Sequence, residues 1–103
     1  MTASNSRQPA RRALRLLWVL QGQTFEGMRL TKIAEALGVP PSTAHRDLHV
    51  LADEGVAERI PGREDFWRLS PRIIQLARAH DDEVQRLRRR VDEVNQRYTR
   101  NPG

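Results

Sequence analysis

The chain has 103 residues, 38% hydrophobic and 30% charged, enough for one compact domain and little more. Its 18 Lys and Arg against 13 Asp and Glu give a formal charge of +5, which favours an anionic partner, and the absence of cysteine excludes a disulfide framework and a thiolate metal site. The longest apolar run, Leu16 to Leu20, is far short of the roughly 20 residues of a membrane span, and the polar start, Met1 to Gln8, lacks a signal-peptide core, so the expected location is cytoplasmic and nucleoid-associated.

Residues 1–8 are expected to form a flexible N-terminal arm. Pro9 suits a first helical position. Ala10, Ala13, Leu14, Leu17, Trp18 and Gln21 then recur at spacings of three and four, which predicts one apolar helix face ending near Gly22. The stretch Gln23 to Arg29 has no period and reads as a loop. Leu30, Ile33, Ala34 and Leu37 describe a short second helix with Thr31 as its expected N-cap. Gly38 can take the left-handed conformation that stops it, and Val39 is apolar enough to tuck under the turn. A third helix is expected from about Pro41 to Glu54, with Ala44, Leu48 and Leu51 inward and Gly55 at its end. Val56–Ile60 and Phe66–Leu69 read as two strands. Pro61 to Asp65 forms the expected five-residue hairpin tip. Trp67 and Leu69 share the expected buried face, with Phe66 and Arg68 pointing outward.

Ser70-Pro71 restarts a helix as N-cap and first position. After Pro71 no glycine or proline occurs through Arg100. Ile73, Ala77, His80, Val84, Leu87, Val91, Val94 and Tyr98 alternate at spacings of four and three, the d and a positions of a heptad. In that register Glu83 stands at g and Arg88 at the following e, so a parallel pair would set each Glu83 against its partner's Arg88. Residues 71–100 are therefore read as a dimerisation coiled coil, with Val84, Leu87, Val91, Val94 and Tyr98 as its contacts. Ile73, Ile74 and Leu76 are open to docking on the preceding domain instead.

The order helix, short helix, tight turn, helix, hairpin over residues 9–70 is that of a winged helix-turn-helix: mainly α, with one small β-hairpin. In this arrangement the second helix braces the third so that the third can enter the major groove. Ala34 must be small where the two cross. The free face of the third helix offers Ser42, Thr43, His45, Arg46 and His49. Ser42 and Thr43 lie at a helix N-terminus, where backbone N–H groups favour phosphate. Arg46 can read guanine or hold a phosphate. His45 and His49 are one turn apart and share a face. They are assigned to groove contact or plain solvation, because a metal would need a third ligand and none is near. Asp47, acidic on a DNA-facing helix, is expected to sit to one side, paired with a basic residue. Thr31, Lys32, Arg63 at the hairpin tip, Arg68, Arg11 and Arg12 are candidate contacts to the DNA backbone, with Arg7 beside them in the arm. Arg63 is the natural wing contact, with a solvated loop charge as the alternative, and Arg88 to Arg90 are read as solvated or paired across the dimer. All basic residues but Lys32 are arginines, which suits phosphates and guanine edges and also fits a GC-rich genome.

Residues 9–79 resemble the N-terminal DNA-binding domain of the IclR family of bacterial transcription regulators. The resemblance is carried by Arg12-Ala13-Leu14-Arg15-Leu16-Leu17, by Leu30-Thr31-Lys32-Ile33-Ala34, and by Leu37-Gly38-Val39-Pro40-Pro41-Ser42-Thr43-Ala44-His45-Arg46. It continues through Leu51-Ala52-Asp53-Glu54-Gly55 and Trp67-Arg68-Leu69-Ser70. It implies DNA contacts at Ser42, Thr43, His45 and Arg46. Ser42 to Leu48 is also similar to the recognition helix of DeoR-type repressors, which carry Arg-Asp-Leu as Arg46-Asp47-Leu48 does. The effector-binding domain of the IclR family has no counterpart here: no small-molecule effector domain is evident, and the resemblance does not carry small-molecule induction over to this chain. Stand-alone proteins of this shape resemble small regulators of phages and plasmids.

The expected function is sequence-specific binding of double-stranded DNA by a homodimeric transcriptional regulator, a repressor, without metal or other cofactor. The alternatives are a DNA-binding adaptor in plasmid partition or phage DNA handling, and a winged helix used for protein contacts. An enzyme is not expected: there is no cysteine, no Gly-rich phosphate loop and no nucleophile–base pair with a supporting motif.

Overall fold

The computed structural model describes residues 8–99. All of the expected arm but Gln8, with Arg7 in it, and the final Arg100 of the long helix lie outside them. In chain order the elements are α1 (Pro9–Leu20), β1 (Met28–Arg29), α2 (Leu30–Leu37), α3 (Pro41–Asp53), β2 (Ala57–Ile60), β3 (Arg63–Leu69) and α4 (Pro71–Thr99). The strands form one antiparallel sheet in the order β1-β3-β2. The chain divides into two units, one ending at Ile73 and the other starting at Ile74. The first contains α1 to α3 and the sheet, which together make a winged helix. No helix of the described residues is long and apolar enough to cross a membrane.

The core of the first unit is Leu16, Leu20, Ile33, Leu37, Leu48, Leu51, Ala57 and Trp67. Each fully buried Leu or Ile contributes about 1.5–3 kcal/mol relative to exposure, so a handful of side chains clamps three helices to the sheet. The buried face of α1 differs from the expected one. Leu16 and Leu20 are buried, with Ala13 and Val19 packed beside them, whereas Leu14 and Trp18 are 61% and 68% exposed. Every residue from Ala13 to Leu20 except Arg15 is apolar, so the helix carries two overlapping stripes at spacings of three and four. Packing against α2, α3 and β3 selects between them.

Three further departures follow from pairing that periodicity cannot report. The supposed loop before α2 contains β1, a two-residue strand that sets Met28 opposite Trp67 and Arg29 opposite Phe66. Two residues are too few to show alternation. Second, α2 starts at Leu30 with Arg29 at its N-cap, so Thr31 lies inside the first turn and does not cap. Third, β3 starts at Arg63, leaving only Pro61-Gly62 between the strands. An irregularity between Arg59 and Ile60 takes up the register, pairing Ile60 with Arg63 but Arg59 with Trp67. Proline followed by glycine suits the two central positions of a tight turn, and Glu64 and Asp65 are drawn into the strand.

Gly38 has φ 74° and ψ 34°, and its N–H bonds to the Ala34 carbonyl at 2.9 Å. The half-buried Val39 follows, its N–H also on Ala34. This is the helix stop that turns the chain from α2 into α3. At the far end of α3 the Val56 N–H returns to the Leu51 carbonyl at 2.8 Å. Ser70 is buried and donates its hydroxyl to the Gly55 carbonyl, tying the start of α4 to the end of α3.

Gly27, just ahead of β1, has no room for a side chain. It is buried with φ 75°, and a Cβ there would overlap Ile60 Cδ1 and lie 3.0 Å from the Trp67 carbonyl oxygen. Gly27→Ala combines a left-handed backbone with a clash against backbone. It is expected to destabilise the domain by about 2–4 kcal/mol, read as a lower urea midpoint with an unchanged slope.

Candidate nucleic-acid interface

Helix α3 presents a back, a front and two flanks. Ala44, Leu48 and Leu51 are buried at its back. Ser42, Arg46, His49, Val50 and Asp53 are exposed at its front. At 100° per residue these two sets lie on opposite sides. Asp47 and His45 occupy the two flanks, and both are half-buried.

The Asp47 flank faces α1. Arg12 Nε donates to Asp47 Oδ2 at 2.6 Å and Nη2 to Oδ1 at 3.3 Å, with both side chains 12% exposed. This is the partner expected for Asp47, and it explains an acid on the helix: the charge is turned away from the front and neutralised. It also moves Arg12 from where it was expected, because its guanidinium is buried against α3. The Asp47 hydrogen bond holds the Arg12 pKa above its ordinary value, against the opposing effect of burial. A raised pKa keeps its contribution below the ordinary value and loses it only above, so Arg12 stays charged at every working pH.

The His45 flank faces the wing. Arg59 stands on β2 directly across from Trp67, and its guanidinium lies 4.9 Å from the centre of that ring. From there Nη2 reaches His45 Nε2 at 3.1 Å and His49 Nε2 at 3.0 Å, and the two imidazole nitrogens are 3.2 Å apart. Both imidazoles meet Trp67 edge-on, at 6.3 Å for His45 and 5.4 Å for His49. Arg59 was missed as a site residue. Its signal was the strand register, which places it opposite the buried tryptophan.

The other candidates are distributed around this centre. The Thr43 and Ala44 N–H groups both return to the Pro40 carbonyl, and Pro41 has no N–H. Ser42 therefore offers the N–H at the start of α3 that has no backbone acceptor among the described residues. Thr31 is exposed. Lys32 is exposed and lies 3.7 Å from Glu35. The exposed Arg11 bonds the Gln8 side chain. Arg63 begins β3, stacks at 3.7 Å on the Phe66 ring and reaches the Glu26 carbonyl at 3.4 Å. Arg29, 5.1 Å from the same ring and 3.7 Å from Asp65, is a further wing cation that sequence reasoning passed over. Arg68 is drawn off to Glu58, its cross-strand partner, at 2.9 Å. Such a pair stabilises the hairpin modestly and leaves Arg68 less available than expected.

In α4 no residue is buried. Leu87, Val91, Val94 and Tyr98 are 60%, 49%, 48% and 80% exposed, and Val84 is half-buried.

A family model described as the IclR helix-turn-helix domain matches residues 9–61. Among solved structures, the chain is similar to Pseudomonas aeruginosa HmgR, with 24% identity and a TM-score of 0.63. That match covers 74% of this chain and 32% of HmgR, so the chain spans about a third of that protein's length. It is also similar to the Zalpha domain of a Cyprinid Herpesvirus3 protein, described bound to Z-DNA. There the identity is 25% and the TM-score 0.52, over 58% of this chain and 93% of that one. No curated protein matches the sequence.

Proposed function

The chain belongs to the IclR helix-turn-helix domain family, and from that premise we propose that it is a transcription regulator that binds duplex DNA sequence-specifically as a homodimer and represses by occupying its operator. The observation that carries this reading is the front of α3. Ser42, Arg46 and His49 are exposed together on a helix fixed from behind by Ala44, Leu48 and Leu51. A braced helix with a polar front fits a major groove. Arg63 and Arg59 of the wing and Arg11 of α1 supply cations for the backbone on either side, in a chain of net charge +5.

The heptad stripe of α4 supports the homodimer. A helix of 29 residues spans about 44 Å. From Ile74 onward it has apolar positions every three and four residues with nothing buried on them, and water is a poor place for such a stripe. A second copy covers it with like residues and pairs Glu83 with Arg88. Two recognition helices then address the two half-sites of a near-palindrome.

The test is binding to duplexes selected by the protein itself, measured by anisotropy over a salt series. Affinity is expected to fall steeply as salt rises. Arg46→Ala is expected to weaken the selected site by about 1–3 kcal/mol, roughly 5- to 150-fold, if the side chain reads a base. A uniform loss across sequences with a shallower salt slope assigns Arg46 to a phosphate. Unchanged affinity removes it from the interface.

A further inference from the structure

Arg59 Nη2, His45 Nε2 and His49 Nε2 form a triangle with sides of 3.1, 3.0 and 3.2 Å. The guanidinium can only donate. The triangle therefore holds only while at least one imidazole nitrogen offers a lone pair. Protonating both rings leaves three donors facing one another and no acceptor. The complement of that charged form is an anionic oxygen that only accepts, seated where all three N–H groups converge. A base edge, with donors and acceptors side by side, fits it less well.

The surroundings favour such an anion. Trp67 closes the back of the cluster. Three acids on the packed elements have other partners: Asp47 of α3 is paired with Arg12, Glu58 of β2 with Arg68, and Asp65 of β3 with Arg29, while Asp53 of α3 and Glu64 of β3, both exposed, form no ion pair among the described residues. Asp53 stands one turn beyond His49 on α3, and Arg46 is the neighbouring cation on the same front. Among the described residues no carboxylate lies within ion-pair distance of the triangle, and no cluster of three His, Cys, Asp or Glu could hold a metal.

We propose that His45, His49 and Arg59 form a site for one backbone phosphate of duplex DNA, and that the two imidazoles take up protons from solvent as the phosphate enters. In the free protein the histidines hold Arg59 by its N–H groups. In the complex the phosphate oxygen replaces their lone pairs, and the three groups point at it as cations. This inference rests on the DNA-binding reading and adds to it the joining of His45 and His49 with Arg59 on one phosphate, and a proton linkage.

The experiment measures affinity for the selected duplex at constant salt. Between about pH 8 and about pH 6, the range in which histidines ordinarily titrate, binding is expected to tighten about tenfold or more. The double variant His45→Gln, His49→Gln keeps polar side chains but cannot titrate there, and its affinity is expected to change less than about twofold over that range. An equal pH dependence in the variant overturns the proposal while leaving DNA binding intact. No duplex binding by the wild-type chain at either pH in low salt overturns the DNA-binding reading itself. A second readout uses the imidazole NMR signals of the three histidines. Added duplex is expected to shift His45 and His49 toward the protonated form and to leave His80 unchanged. A shift of all three alike, or an equal shift with inorganic phosphate alone, overturns the assignment to a backbone phosphate.

Discussion

The wild-type chain is expected to sediment as a dimer, and chains carrying Val91→Asp and Val94→Asp as monomers at the same concentration. The two valines are 49% and 48% exposed on a helix that buries none of its residues. In a paired helix they occupy the a and d positions of the seam. Burying an unpaired carboxylate there is far costlier than the roughly 1.5–3 kcal/mol that burial of each valine contributes, and a dimer suffers each change twice. The loss at a two-half-site operator is expected to be about hundredfold or more, because the second half-site is no longer bound intramolecularly. Contacts to a single half-site should survive. If the variant stays dimeric, the heptad is not the interface, and the exposed Leu14 and Trp18 of α1 become the next surface to test.

Trp67→Ala is expected to cost about 3–5 kcal/mol, the range for truncating a buried large aromatic. For a domain whose total stability is of the order of 5–15 kcal/mol, that is enough to leave much of the population unfolded on warming. Trp67 is 1% exposed and joins the sheet to the core helices. It is also the floor under Arg59, His45 and His49. Trp67→Phe separates the two roles. The indole N–H has no partner among the described residues, so phenylalanine sacrifices no hydrogen bond, and its cost is expected to stay below about 2 kcal/mol. Calorimetry of the two variants is the check: similar melting temperatures for both would mean that the ring does not hold the sheet to the helices.

Helix α3 was legible because its signals are local. Pro40-Pro41 before it, Gly38 at the turn, and Ala44, Leu48 and Leu51 at spacings of four and three fix its ends and its buried side. The long helix was legible for the same reason, since residues 72–100 contain no glycine or proline. The hairpin was found with the wrong tip, yet its outer register was implicit: a five-residue tip also sets Arg59 opposite Trp67 and Glu58 opposite Arg68. Had that register been followed, Arg59 would have joined the site and Arg68 would have been paired with Glu58.

The sequence by itself determined which segments are helical, where the turn between α2 and α3 falls, and which side of α3 is polar, because capping, glycine conformation and apolar spacing act within a few residues. Tertiary structure alone decided which of two apolar stripes on α1 is buried, that Met28–Arg29 joins the sheet, and that Arg12 binds Asp47 while Arg59 binds two histidines. Those outcomes join residues far apart in the chain, Arg12 to Asp47 and Met28 to Trp67 among them, and a charge finds its partner only once packing has brought the two elements together.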